Sequence, residues 1–119
     1  MLSSSELSCP VYLVTGATDM RKSIDGLAIM VSECLELDPL SSSLFVFCNR
    51  QRDKIKILRW DGTGFWLYYK RLEKSRFQWP THFHDGHLSL TRQQLNWLLD
   101  GLSLEQKQAH KPLSFRSVA

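Results

Sequence analysis

No apolar run in this 119-residue chain approaches the length of about 18 residues that a membrane-crossing helix requires. The first ten residues, MLSSSELSCP, have neither the basic start nor the apolar stretch of a signal peptide, so a cytoplasmic protein is expected. Cysteine is scarce: Cys9, Cys34 and Cys48 are odd in number and form no CxxC, which removes a zinc ribbon or a dithiol redox pair from consideration. Cys34 is expected on the apolar face of a helix and Cys48 inside an apolar strand, both as small buried hydrophobes. Clustered carboxylates are missing as well. Hydrolytic or strand-transfer chemistry on nucleic acid needs two or three of them around a divalent metal. Asp19 reads as a helix cap, Asp61 as a turn residue and Asp53 as one charge within a basic loop. No nucleophile–base pair is legible, and Gly16-Ala17-Thr18 lacks the glycine and lysine spacing of a P-loop. An enzyme is not expected, and neither is a cofactor.

Histidine makes the most metal-like local cluster, H-x-H-x2-H, through His82, His84 and His87 beside Asp85. The chain supplies no matched ligand pair elsewhere, so these read as loop histidines that hold no structural zinc.

Charge, by contrast, is concentrated. Between Arg50 and Arg76 stand nine basic residues (Arg50, Arg52, Lys54, Lys56, Arg59, Lys70, Arg71, Lys74, Arg76) against three acidic ones (Asp53, Asp61, Glu73). That window is +6, while the whole chain is only +3, so the remainder is −3. Trp60, Phe65, Trp66, Tyr68 and Tyr69 are interleaved with the cations. Such a mixture neutralises phosphates and offers stacking surface. It is also what a solvated face over an aromatic core looks like.

Hydrophobic content of 43% and charged content of 23% are ordinary for a single globular domain of this length. Val11–Thr15 is a β-branched run ending at Gly16. Asp19 offers a side-chain oxygen to cap a helix from about Met20 to Leu37, whose core face carries Ile24, Leu27, Ala28, Val31, Cys34 and Leu35. Ile29 falls among its polar residues, and Asp38-Pro39 stops it. Leu44–Cys48 is apolar on both faces and belongs in the centre of a sheet. Lys54–Trp60 and Phe65–Leu72 read as a hairpin across Asp61-Gly62-Thr63-Gly64, with both glycines supplying positive backbone angles. The alternation Lys54-Ile55-Lys56-Ile57 slips at Leu58, which points to a bulge or to burial on both faces. After Trp79-Pro80 and a histidine-bearing loop, His87–Leu90 suits a short strand. Thr91-Arg92-Gln93-Gln94 fits a capping box for a helix that buries Leu95, Leu98, Leu99 and Leu102, with Trp97 on its opposite face. The expectation is an α+β domain over residues 11–102, of order β-α-β-β-β-(β)-α, with a largely antiparallel sheet of four to five strands and two helices. Residues 1–10 are expected to be flexible and 103–119 a mobile tail.

Three segments in order resemble a known family. Thr18–Leu27 reads TDMRKSIDGL. Leu44–Arg50 with Lys56–Leu58 reads LFVFCNR and KIL. Trp60–Leu67, Lys70–Glu73 and Phe77–Pro80 read WDGTGFWL, KRLE and FQWP. Together they resemble the TnpB accessory protein, the second open reading frame of the insertion sequence 66 group of bacterial transposable elements. Ser43 and Ser75 stand where glycine is usual in that family, and Arg59 where an aromatic is.

The resemblance implies a protein that acts beside the transposase and helper protein of its own element in DNA transposition and recombination. It brings no active site. Together with the basic aromatic segment it makes a DNA-binding accessory protein the first reading. Arg50, Arg52, Lys54, Lys56, Lys70, Arg71, Lys74 and Arg76 would then meet phosphates, and Trp66 would stack. The alternative is an adaptor that contacts the transposase through Trp97, Ile29 and the tail residues Leu113 and Phe115, with little DNA contact.

Overall fold

Side-chain alternation along five strands sends one set of apolar residues to each face of a sheet, and a helix covers each face. The computed structural model describes residues 9–80 and 86–104. The strands are β1 (Val11–Ala17), β2 (Leu44–Cys48), β3 (Lys54–Trp60), β4 (Phe65–Arg71) and β5 (His87–Leu90), with helices α1 (Ile24–Glu33) and α2 (Arg92–Leu99). The strand order is β4-β3-β2-β1-β5. β1 and β2 run parallel, as a strand–helix–strand crossover requires, and every other neighbouring pair is antiparallel. The expected α+β class, element order and central place of β2 are all observed.

β2 is buried along its whole length because both of its faces are covered. Leu44, Val46 and Cys48 join Val11, Leu13, Ile55, Ile57, Phe77, Trp79, Leu95 and Leu98 on the α2 side. Phe45 and Phe47 join Val14, Leu58, Leu27, Val31 and Leu35 on the α1 side. Fully burying a side chain of this kind stabilises the fold by about 1.5–3 kcal/mol. Leu58 and its neighbour Ile57 are buried on opposite faces, and β3 keeps an unbroken register with both partners. The slip in alternation therefore reflects two-sided burial, not a bulge. A register shift occurs instead in β1, between Leu13 and Ala17.

Helix α1 is shorter than its periodicity predicts. Asp19 does not cap it: the N-cap is Ser23, whose side chain makes no capping bond. The Asp19 carboxylate is taken by the Arg21 amide at 2.9 Å and by the Arg21 guanidinium, which builds a turn ahead of the helix. At the other end Glu36 adopts a left-handed conformation (φ 57°), and the Leu37 amide returns to the Val31 carbonyl at 3.1 Å. The helix has thus closed before Asp38-Pro39 is reached. Cys34 sits at this C-cap and is exposed, contrary to the burial expected of it, whereas Cys48 is buried as expected.

The capping box of α2 is present, with Thr91 accepting from the Gln94 amide at 3.0 Å and the Gln94 side chain accepting from the Thr91 amide at 2.9 Å. Leu95 and Leu98 are buried, but Leu102 is exposed because the chain turns away at Gly101 (φ 83°). At the hairpin Gly62 takes the positive angle (φ 98°). Gly64, expected to do the same, instead donates its amide to Asp61 Oδ1 at 2.9 Å.

Phe77 and Trp79 fill the α2-side core, and the Trp79 indole donates to the Val14 carbonyl at 3.0 Å. Leu104 packs on the same core. The rest of the expected tail, with Leu113 and Phe115, lies outside the described residues, as do His82, His84 and Asp85. His87 opens β5 and meets the Tyr12 ring edge-on.

Candidate nucleic-acid interface

Strand register decides where the basic residues gather. Ala17 is level with Cys48, Cys48 with Ile55, and Lys54 with Arg71. The ends of β1, β2 and β4 and the start of β3 therefore lie at one end of the sheet. The β2–β3 loop carrying Arg50 and Arg52 leaves from this end, and the segment carrying Lys74 and Arg76 passes it. Backbone bonds hold that segment to the loop, Leu72 N to Asp53 O at 2.8 Å and Phe77 N to Arg52 O at 2.7 Å. The β1–α1 loop, with Arg21 and Lys22, begins here too.

Asn49 organises the β2–β3 loop, a role the residue pattern did not reveal. Buried to 8% exposure, it accepts on Oδ1 from the Asp53 and Lys54 amides at 3.1 and 3.0 Å and donates to Asp53 Oδ1 at 2.7 Å. That last bond heads the causes that hold the Asp53 carboxyl below its usual range. Arg52 in the same loop has a left-handed backbone (φ 63°), a conformation rare outside glycine and asparagine.

The sequence candidates separate into three kinds of environment. Lys56 Nζ donates to the carbonyls of Met20 and Lys22 at 2.7 and 2.9 Å, and Lys70 Nζ donates to the Leu99 carbonyl at 2.6 Å. Arg52 reaches the Trp79 carbonyl at 3.5 Å. These three cations fasten chain segments together. Lys54 pairs with Asp53 at 3.4 Å, and exposed Arg71 pairs with Glu73 at 2.9 Å. The Glu73 carboxylate raises the Arg71 pKa, so its charge is permanent. Arg50, Lys74 and Arg76 are exposed and have no hydrogen-bond or ion-pair partner among the described residues.

Adjacent residues of a strand point to opposite faces. Lys54, Lys56, Tyr69 and Arg71 share the α1 face of the hairpin, whereas Trp66, Tyr68 and Lys70 share the α2 face. Trp66 stacks on Tyr68 and donates to Asp61 Oδ2 at 2.7 Å. It is 52% exposed but lies five residues from Arg71, about 17 Å along the strand and close to the hairpin tip. Tyr69 is the exposed aromatic nearest the basic end, with Lys56 Nζ 6.0 Å from its ring centroid. Of the two partner-contact candidates, Ile29 is 56% exposed and Trp97 is half-buried.

A cleft of about 720 Å³ opens at this end between the two loops, lined by Thr18, Asp19, Arg21, Asn49, Arg50, Gln51, Lys54 and Tyr69 among others. Asp19 within it is held down to about pKa 2, chiefly by the Arg21 guanidinium. Among the described residues no helix is long and apolar enough to cross a membrane, and no three His, Cys, Asp or Glu side chains converge as a metal site would need.

Comparison with known proteins agrees with the motif strings. Two proteins of Sinorhizobium fredii are similar. The one described as "Uncharacterized protein y4hO" is 40% identical over 98 residues, covering 82% of this chain and 84% of its own length. "Uncharacterized protein y4jC" is 30% identical over 105 residues, covering 86% and 89%. No solved structure matches significantly. The family model described as "IS66 Orf2 like protein" matches residues 9–109, which takes in every described residue, and the chain belongs to the IS66 Orf2-like family of insertion-sequence accessory proteins.

Proposed function

We propose that this chain is a non-enzymatic accessory protein of DNA transposition that binds nucleic acid through the basic end of its sheet. The observation that carries this reading is the gathering of Arg50, Lys74 and Arg76, exposed and unpaired among the described residues, around the ends of β1, β2 and β4. Lys22 extends the same positive surface, whereas Arg21, Lys54 and Arg71 beside it are paired with Asp19, Asp53 and Glu73. Cations with no internal partner are the ones that can displace counterions from a phosphate backbone. Lys56 supports the surface by holding its β1–α1 loop, and Lys70 fastens the end of helix α2 to the same hairpin. The non-enzymatic part is supported by the engagement of the carboxylates: Arg21 takes Asp19, Asn49 and Lys54 take Asp53, and the hairpin turn takes Asp61. The transposase and helper protein of the same element, in the cytoplasm, are the protein partners this role calls for.

Phosphate contacts position a protein without reading bases, so binding should tolerate sequence. A gel-shift series with element ends and scrambled duplex of equal length should show similar affinities, both falling steeply from about 50 to 200 mM salt. No binding at the lowest salt would favour the adaptor reading, for which Ile29 is the most exposed apolar contact among the described residues.

A further inference from the structure

We propose that the cleft between the β1–α1 and β2–β3 loops seats one unpaired nucleotide of a nucleic-acid strand. Its phosphate would lie against Arg50, Lys54 and the Thr18 hydroxyl, and its base on the ring of Tyr69. This rests on the nucleic-acid reading above and narrows it to a single-stranded or flipped-out element of the ligand.

Four observations converge on the cleft. It is an open cleft, and its volume of about 720 Å³ leaves room for one nucleotide. Its lining carries three cations: Arg21, paired with Asp19, Lys54, paired with Asp53, and Arg50, which has no ion-pair partner among the described residues. Thr18 is only 3% exposed, its amide is satisfied by the Cys48 carbonyl at 2.8 Å, and its buried hydroxyl has no partner among the described residues. A buried hydroxyl without a partner is costly unless something supplies one, and a phosphate oxygen accepts from it well. Finally, Tyr69 in the cleft wall is 55% exposed, a large aromatic ring left uncovered beside cations. Bases within a duplex are already covered by their neighbours, whereas an unpaired base presents a face to such a ring. The β1–α1 loop is kept in place over this site by Lys56, which does not itself line the cleft.

The test measures fluorescence anisotropy of a labelled ten-nucleotide oligothymidylate and of a labelled duplex, with wild type, Tyr69→Ala and Tyr69→Phe. Wild type should bind both. Tyr69→Ala should weaken oligothymidylate binding about 5- to 150-fold, the range for losing one stacked base, and leave duplex affinity within about twofold. Tyr69→Phe, which keeps the ring, should match wild type on both. Unchanged oligothymidylate binding by Tyr69→Ala, or equal loss on both ligands, overturns the nucleotide seat while the duplex-binding reading stands. Wild type that binds duplex alone does the same, and wild type that binds neither overturns both. Thymidine 5′-monophosphate serves as competitor: displacement only at millimolar concentration assigns the site to a strand. Displacement at micromolar concentration supports the seat but makes a free nucleotide its occupant.

Discussion

The ammonium of Lys56, on strand β3, donates to the carbonyl oxygens of Met20 at 2.7 Å and Lys22 at 2.9 Å, in the loop that opens helix α1. On the neighbouring strand Lys70 does the same for Leu99, the last residue of helix α2, at 2.6 Å. Two lysines of one hairpin thus fasten two helices on opposite faces of the sheet. Each meets carbonyls that no helix bond would otherwise satisfy.

Replacing Lys56 by methionine keeps the aliphatic stem and removes the donor. It should destabilise the protein by about 1.5–3 kcal/mol, the usual worth of hydrogen bonds to a charged group. Urea unfolding should show a lower midpoint at an unchanged m-value. Because Lys56 holds a loop of the candidate site, losing Lys54 and Lys56 together would confound charge with structure. A midpoint equal to wild type would mean that the loop stands without its lysine.

Asp61 predicts a pH dependence. Its carboxylate accepts from the Thr63 amide, the Trp66 indole, the Thr63 hydroxyl and the Gly64 amide, and these donors push its pKa far below the usual carboxylate range. A folded-state pKa below the unfolded value of about 3.9 stabilises the fold above that value, and the gain is lost as pH falls towards the folded pKa. The stability advantage of wild type over Asp61→Asn should therefore be flat from about pH 7 to 5 and shrink below about pH 4. An advantage unchanged down to about pH 2.5 would contradict the charged cap.

The cysteines should react in a fixed order. Cys34 is exposed, whereas Cys48 is 1% exposed and burial pushes its thiol up to about 12. Maleimide labelling of native protein followed by peptide mapping should mark Cys34 and spare Cys48 until denaturant is added. Native labelling of Cys48 would place the end of β2 nearer the surface than its burial indicates.

Phe77→Ala should cost about 3–5 kcal/mol, since the ring is fully buried among residues of β1, β2, β3 and α2. A loss below about 1 kcal/mol by urea unfolding would show that this segment packs less tightly than described.

The strands were legible where the signal is local. Period-two alternation and the Asp61–Gly64 turn located β3 and its hairpin partner, and uninterrupted apolar residues located β2. The parallel pairing of β1 with β2 was not, because it joins segments separated by all of α1. The length of α1 is not legible because apolar spacing continues through Leu35 and Leu37 after the helix has ended at Glu33, with its C-cap at Cys34. Of the site, the composition of the basic window was plain. Its division was not: whether a lysine meets a carbonyl, a carboxylate or solvent depends on what the fold brings opposite it. That Lys70 and Arg71 take opposite faces does follow from strand alternation, and with it the separation of Trp66 from the α1-face cations.

The most direct measurement compares duplex-DNA affinity across a salt series for wild type and the triple variant Arg50→Gln, Lys74→Gln, Arg76→Gln. These three side chains have no partner among the described residues, so urea unfolding of the variant should match wild type. Each phosphate contact contributes about −0.9 to the slope of log K against log salt, so the variant's slope should be flatter by about 2–3 units with weaker binding at low salt. If the triple variant keeps the affinity and salt slope of wild type, the basic end is solvated surface and the adaptor reading takes its place.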